Sequence, residues 1–284
     1  MDARWKQGNG WSTCVTHSLP MWSSGWLPRL PRDFPSNRCD CLGDMKPSTE
    51  RPFCLEDYLP FLKSLADSED ESVLVGGLAV SAWAELFLDE LERHHFDLPI
   101  FSKDIDLRGR KMTCLALTKL MQLNGAVLGG VVAATRKNAP HMGRVFAASI
   151  TWRNFKTSVE VLERLPGLDS GITDAPVGTP LSPTDDLVLL DPCSLFICKL
   201  HAANTRPEGE ANNDIKHLAI LARVIPQFLE KLRATPVAEY DAKEDVMRLL
   251  RQIENSGAGR HPFQVPLSAG EIARLCDALR QHLR

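Results

Sequence analysis

Two aspartates separated by a single isoleucine, Asp104-Ile105-Asp106, follow an adjacent glycine pair, Gly76-Gly77. Alternate side chains of an extended strand share a face, so both carboxylates project together while Ile105 turns the other way, into a core. Two carboxylates that close repel each other unless a cation is present. Hard oxygen donors facing one way suit Mg²⁺, which is held by one or two carboxylates together with substrate phosphates. Two such ions about 3.5–4 Å apart can steady both the attacking and the leaving oxygens of a phosphoryl displacement. The glycine pair offers the complementary part. Lacking Cβ atoms, it lets a triphosphate approach backbone N–H groups at the positive end of a helix.

These residues need elements to hold them. Hydrophobic periodicity predicts a helix through Leu59, Leu62 and Leu65, a strand from Ser72 to Val75, and a helix from about Leu78 to His94 with Leu78, Ala82, Leu86 and Leu91 near one face. "KDIDL" then reads as a strand, and Lys111 to Leu123 as a helix closed by Asn124-Gly125. "AVLGGVVAA", "RVFAASITW" and "KTSVEVL" are three further strands, the last two joined by Arg153-Asn154-Phe155 as a hairpin. In the last strand Glu160 alternates with Val159 and Val161, which directs it away from the core as Asp104 and Asp106 are directed. Beyond Pro192 the pattern turns helical: Ser194 to Asn204, Asp214 to Val224, Pro226 to Ala234, Asp241 to Glu254, and a last helix opened by the capping box of Ser268 and Glu271. "ENSGAGRHPF", residues 254 to 263, reads as a flexible connector. The fold class expected is α/β (α+β) with a mixed sheet over residues 51–190, followed by an α-helical domain over 191–284.

Composition narrows the function classes. The 284 residues are 44% hydrophobic, enough for a packed core, and a formal net charge of -3 provides no global basic field, which excludes general coating of nucleic acid and leaves room for a local basic groove. Eight cysteines are scattered without the paired spacing of a zinc site, so they read as reduced thiols of a cytoplasmic protein, and Cys39-x-Cys41 supplies only two ligands. No apolar run approaches the roughly 20 residues that span a bilayer, so a soluble protein without a membrane partner is expected. Residues 1–50 hold Trp5, Trp11, Trp22 and Trp26 among five prolines with no period and read as a disordered tail; its tryptophans would suit a partner-binding patch, while the plainer reading takes Met45 as the natural beginning, since patterning starts only near Phe53.

"VGGLAVSAW" followed by "SKDIDL" resembles the nucleotidyltransferase superfamily, the DNA polymerase beta-like minimal fold, whose pattern is a Gly-Gly or Gly-Ser turn, a helix and a strand bearing Asp-x-Asp. Among its branches the chain looks most like the bacterial abortive-infection toxin type, with its Thr/Ser-Lys-Asp-hydrophobic-Asp strand. The resemblance covers roughly residues 72 to 225. It implies Mg²⁺-dependent transfer of a nucleoside monophosphate from a nucleoside triphosphate such as ATP to an RNA, protein or small-molecule acceptor, and a toxin–antitoxin setting. By the same match Asp104, Asp106 and Glu160 are the metal-binding and catalytic acids, and Gly76, Gly77, Ser102 and Lys103 belong to the nucleotide site. "DPCSLFICKLHAANTR" and "NNDIKHLAIL" are similar to the family's helical segment, which makes Lys199, Arg206 and Asp214 candidates for phosphate contact or for bracing the cleft.

Three departures keep a second reading open, a catalytically inactive nucleotide-binding or regulatory module of the same fold. Gly77 to Asp104 is 104 - 77 = 27 positions, longer than the family's compact spacing and requiring a longer helix or an inserted loop. The third acid is Glu where Asp is usual, and Phe101 and Ser102 stand where a basic residue is common. Plainer roles also compete residue by residue: a solvated strand position for Lys103, a snorkelling lysine at Lys199, core packing for Trp83 and Trp152, and a solvated helix end for His94-His95.

Overall fold

The computed structural model describes residues 55, 58, 73–102, 104–109, 127–133, 144–152, 155–168, 188–234, 242–260 and 263–284. The tail of residues 1–50, Lys103, and the helix expected at 111–123 lie outside the described residues. Residues 48–284 form one compact unit, so a single core runs across the position, 190–191, where the sequence pattern changes from strands to helices.

Five strands, β1 (Val73–Val75), β2 (Asp104–Arg108), β3 (Val127–Ala133), β4 (Arg144–Trp152) and β5 (Phe155–Leu162), form a mixed sheet in the order β1-β2-β5-β4-β3. β2 and β5 are parallel, and the other neighbouring pairs are antiparallel. β4 and β5 make the predicted hairpin; Trp152 pairs with Phe155, so Phe155 belongs to the strand rather than to the turn. At the far edge, residues 188–190 run beside β1: Leu74 N–H donates to the Val188 carbonyl and Leu190 N–H to that of Leu74.

Helix α1 (Gly76–Phe87) follows β1 directly, and a short helix α2 (Glu90–His95) follows it. The sequence pattern predicts one helix here, from Leu78 to His94. The structure breaks it at Leu88, because the Asp89 carboxylate caps a new helix by accepting from Glu92 N–H at 2.8 Å. The break turns Leu91, expected on the apolar face, outward to 79% exposure. These two helices and the loop behind them fill the 27-position interval. Both histidines of His94-His95 are exposed at the end of α2, as a solvated helix end should be.

The C-terminal part holds α3 (Pro192–Thr205), α4 (Glu208–Ala234), α5 (Lys243–Gly257) and α6 (Ala269–Leu283). Pro226 does not divide α4 into the two helices expected. Its ring forfeits one i→i−4 hydrogen bond, but Val224, Ile225, Phe228 and Leu229 are buried on either side and hold the continuous helix. Likewise α5 runs on through Gly257, so the first residues of the expected connector are helical. The capping box of Ser268 and Glu271 opens α6 as predicted. Trp83 is fully buried, edge-on to Phe228, with Nε1 donating to the Leu190 carbonyl at 2.8 Å. It ties α1 to α4 and to the sheet edge, and is core rather than a platform for a base. The Trp152 side chain lies outside the described residues.

Candidate active site

The register of the sheet assembles the acids. Asp106 pairs with Glu160 across the parallel β2–β5 ladder, and Asp104 precedes by two residues on the same face. Ile105, Leu107, Val159 and Val161 are buried on the opposite face, while Asp104, Asp106 and Glu160 remain partly open. The sequence-predicted trio therefore shares one face of two adjacent strands. Ser102, itself buried, orients Asp104: its hydroxyl reaches the Asp104 carbonyl at 2.8 Å and the carboxylate Oδ1 at 3.1 Å. The resemblance gives Ser102 to the nucleotide site; its hydroxyl lies on the neighbouring acid. The entry to β2 is fastened by Tyr58, whose hydroxyl lies 2.9 Å from Thr157 Oγ1 on β5 and donates to the Ser102 carbonyl at 3.5 Å.

The glycine pair stands at the start of α1, beside these acids. Val75 on β1 pairs with Asp106, and the chain then turns through Gly76 at φ +72°, in the left-handed region that favours glycine. A Cβ at Gly76 would overlap Asp106 Oδ2 and lie 2.9 Å from the Asp106 Cβ and Cγ. The missing side chain is what lets the Asp106 carboxylate approach the helix end. Val75, at the N-cap position, makes no side-chain cap hydrogen bond, and the first turn carries no acidic residue. The positive end of α1 thus faces the acid cluster.

Electrostatics match this crowding. Burial and the neighbouring Asp104 carboxylate push Asp106 up to about 7, with Glu160 adding to the rise and Lys199 and Arg206 opposing it. Lys199 and Arg206 are themselves engaged. Asp214, almost wholly buried on α4, accepts from Lys199 Nζ of α3 at 2.9 Å through Oδ1 and from the Arg206 guanidinium at 2.9 Å through Oδ2. The carboxylate braces both cations, joining α3 to α4, and Arg206 keeps about half of its side chain exposed. Lys199 is therefore an ion-paired cation rather than a snorkelling one.

Among the described residues no three His, Cys, Asp or Glu side chains converge as a metal group, so Glu160 does not complete a ready-made cage with the two aspartates. Two adjacent aspartates whose negative charge is only partly compensated, with Asp106 raised toward neutrality, fit the mode in which Mg²⁺ takes one or two carboxylates and completes its shell from phosphates and water.

One residue of this region escaped the sequence reading. His217, buried on α4 three residues after Asp214, faces Gly77: a Cβ there would lie 3.2 Å from His217 Cε1, 3.6 Å from Nε2 and 3.8 Å from Ser102 Oγ. The signal was the Asp214-x-x-His217 spacing, which puts both side chains on one helix face. Burial, then the cations Lys199, Lys216 and Arg206, hold its imidazole well below the usual histidine range, and hence neutral at pH 7.

No helix among the described residues is long and apolar enough to cross a membrane. No family model matches the chain, and no curated protein matches it. Among solved structures, the crystal structure of the Megavirus polyadenylate synthase is similar at a TM-score of 0.37 and 9% sequence identity, over 84% of this chain and 51% of that one, so the chain spans about half the length of that viral protein.

Proposed function

We propose that the protein is a Mg²⁺-dependent nucleotidyltransferase that passes a nucleoside monophosphate from a nucleoside triphosphate to an acceptor hydroxyl. The observation that carries this reading is the register of β2 and β5, which gathers Asp104, Asp106 and Glu160 on one sheet face beside the uncapped end of α1. Asp104 and Asp106 would hold the metal, which when bound supplies charge neutralisation to the phosphates. Ser102 fixes the Asp104 carboxylate, Gly76 admits that of Asp106, and the first turn of α1 turns its N–H groups to phosphate oxygens. Arg206, half exposed although paired with Asp214, offsets charge that develops during transfer. Glu160 draws the proton from the acceptor, which belongs to the RNA, protein or small-molecule class. Within this reading the Ser-Lys-Asp-Ile-Asp strand with Lys199, Arg206 and Asp214 favours the abortive-infection toxin branch and a cytoplasmic place of action.

A second reading, an inactive nucleotide-binding module, draws on the absence of a three-acid metal group among the described residues. One experiment separates them. The protein is incubated with each α-labelled ribonucleoside triphosphate and Mg²⁺ in the presence of cellular RNA and protein, and label transfer and pyrophosphate release are scored. Transfer that disappears with Asp104→Asn supports the enzyme. Triphosphate binding without pyrophosphate release supports the module, and failure to bind any triphosphate overturns both.

A further inference from the structure

The Gly76-Gly77 turn has a side-chain component that the glycine motif does not contain. His217 is 7% exposed, its Nδ1 is buried, and neither ring nitrogen makes a hydrogen bond to the described residues. Its two edges face different partners. The Nδ1 edge looks toward Asp214, with Oδ1 at 4.0 Å, too far for a hydrogen bond and on a carboxylate already held by Lys199 and Arg206. The Cε1–Nε2 edge looks toward Gly77, at the first turn of α1, whose N-cap makes no side-chain hydrogen bond.

A buried imidazole with no hydrogen-bond partner among the described residues is costly, because unmet polar groups lose their hydration without replacement. Beside an uncapped helix end, the missing partner is an oxyanion: the helix N–H groups and one imidazole N–H would converge on it. We propose that His217 completes the phosphate site of the Gly76-Gly77 turn, with Nε2–H donating to a terminal phosphate oxygen of the bound triphosphate. The inference rests on the nucleotidyltransferase reading and deepens it by naming the side chain that grips the phosphate. It also gives Gly77 a reason of its own: any Cβ there would crowd the imidazole, at 3.2 Å from Cε1. The neutral form suits the task, since one N–H donor is enough and a third cation beside Lys199 and Arg206 would repel both. Asp214 then has a double role, clamping the two cations and lying behind the ring.

The roles of the two nitrogens can be tested separately. The side-chain amide of glutamine reaches the place of Nε2, and that of asparagine the place of Nδ1. Inorganic tripolyphosphate with Mg²⁺ is the probe, because it has phosphates and no base, and its dissociation constant is measured by calorimetry for the full chain and for His217→Ala, His217→Gln and His217→Asn. The expected result is a loss of about tenfold to a hundredfold in affinity for the Ala and Asn variants, the range of one hydrogen bond to a charged group, with Gln within a few fold of the parent. In the parent, the Nε2 resonance of His217 should move on addition of tripolyphosphate while Nδ1 holds. Unchanged affinity in His217→Ala, or rescue by Asn rather than Gln, overturns the inference while leaving the nucleotidyltransferase reading in place. If the Ala and Asn variants fail to fold, a His217 Nε2 resonance in the parent that ignores bound tripolyphosphate overturns it as well. A parent that binds no tripolyphosphate with Mg²⁺ overturns this inference; if it also binds none of the four ribonucleoside triphosphates, the reading on which it rests falls too.

Discussion

Gly76→Ala and Gly77→Ala are adjacent changes of one methyl group, and the structure assigns them different costs. At Gly76 the backbone sits at φ +72°, which costs an L-residue about 1–2 kcal/mol. The new methyl also overlaps Asp106 Oδ2 and lies 2.9 Å from two carbons of that side chain, so β2 or α1 must give way, at about 1–3 kcal/mol for overpacking. Reduced freedom of the unfolded chain returns about 0.5–1 kcal/mol. The net expectation is a loss of about 1–4.5 kcal/mol, or roughly 2–18 °C in thermal midpoint for a unit of this size. At Gly77 there is no positive φ, the nearest contact is 3.2 Å, and alanine gains about 1 kcal/mol of helix propensity, so the change should stay within about 1 kcal/mol of neutral. Urea unfolding of both variants without Mg²⁺ measures the difference. In an Asp106→Gly background, which removes the offending carbons, the penalty at Gly76 should shrink to the left-handed cost alone. Equal losses at the two glycines, or a Gly76 penalty indifferent to Asp106, would refute the reasoning that this glycine exists to admit the carboxylate.

Asp104→Asn and Asp106→Asn, made singly, should leave the metal-free midpoint equal or slightly raised, since each removes repulsion between acids; Mg²⁺ with tripolyphosphate should raise the parent's midpoint and leave that of either variant unmoved, and a lowered midpoint with an intact metal response would mark ordinary structural aspartates. Asp191, buried at the N-cap of α3 and accepting from Ser194 N–H at 2.9 Å, is pushed up to about 7 by burial and then by Asp245. A raised carboxyl binds its proton more tightly when folded, so its contribution falls as pH rises from the usual carboxylate range through about 7. Asp191→Asn keeps the cap and removes the charge, so its stability relative to the parent should grow across that window, by at most about 1.4 kcal/mol per pH unit, and level off above it; a flat difference in unfolding experiments from pH 4 to 8 would contradict the assignment. Asp214→Ala leaves Lys199 buried without its partner and should cost about 3–5 kcal/mol in denaturant unfolding, whereas a loss under 1 kcal/mol would show that the clamp contributes little.

Much of the acid face was legible because it obeys the simplest period in protein structure. The alternation in Asp104-Ile105-Asp106 and in Val159-Glu160-Val161 fixed which side chains share a side, and the ladder then paired Asp106 with Glu160. What escaped depends on contacts that periodicity does not encode. The end of α1 at Phe87 follows from a local capping contest won by Asp89, and the continuity of α4 through Pro226 from burial on both sides of the ring. The hydrogen bond of Ser102 to Asp104 is a side-chain contact that no pattern encodes, and nothing short of the α1–α4 packing could bring His217 to Gly77. The Gly76-Gly77 pair marks this turn in the sequence, but the contact that makes Gly76 necessary, the Asp106 side chain, lies on another strand.

The parallel pairing of β2 with β5 also governs when the site can come into being. Asp106 and Glu160 are 160 - 106 = 54 positions apart, and β3 and β4 are threaded between them in the chain while lying outside them in the sheet. Such a long-separation contact forms only after its loop-closure entropy has been met, so this part of the sheet belongs to the slow stages of folding. A nascent chain that has not yet released β5 from the ribosome carries Asp104 and Asp106 without their neighbour and without the α4 residues that brace the cations. The cluster of acids and braced cations is accordingly a late product of synthesis, incomplete until α4 has emerged and packed, and a chain interrupted before residue 217 would carry the Asp-Ile-Asp motif without its surroundings.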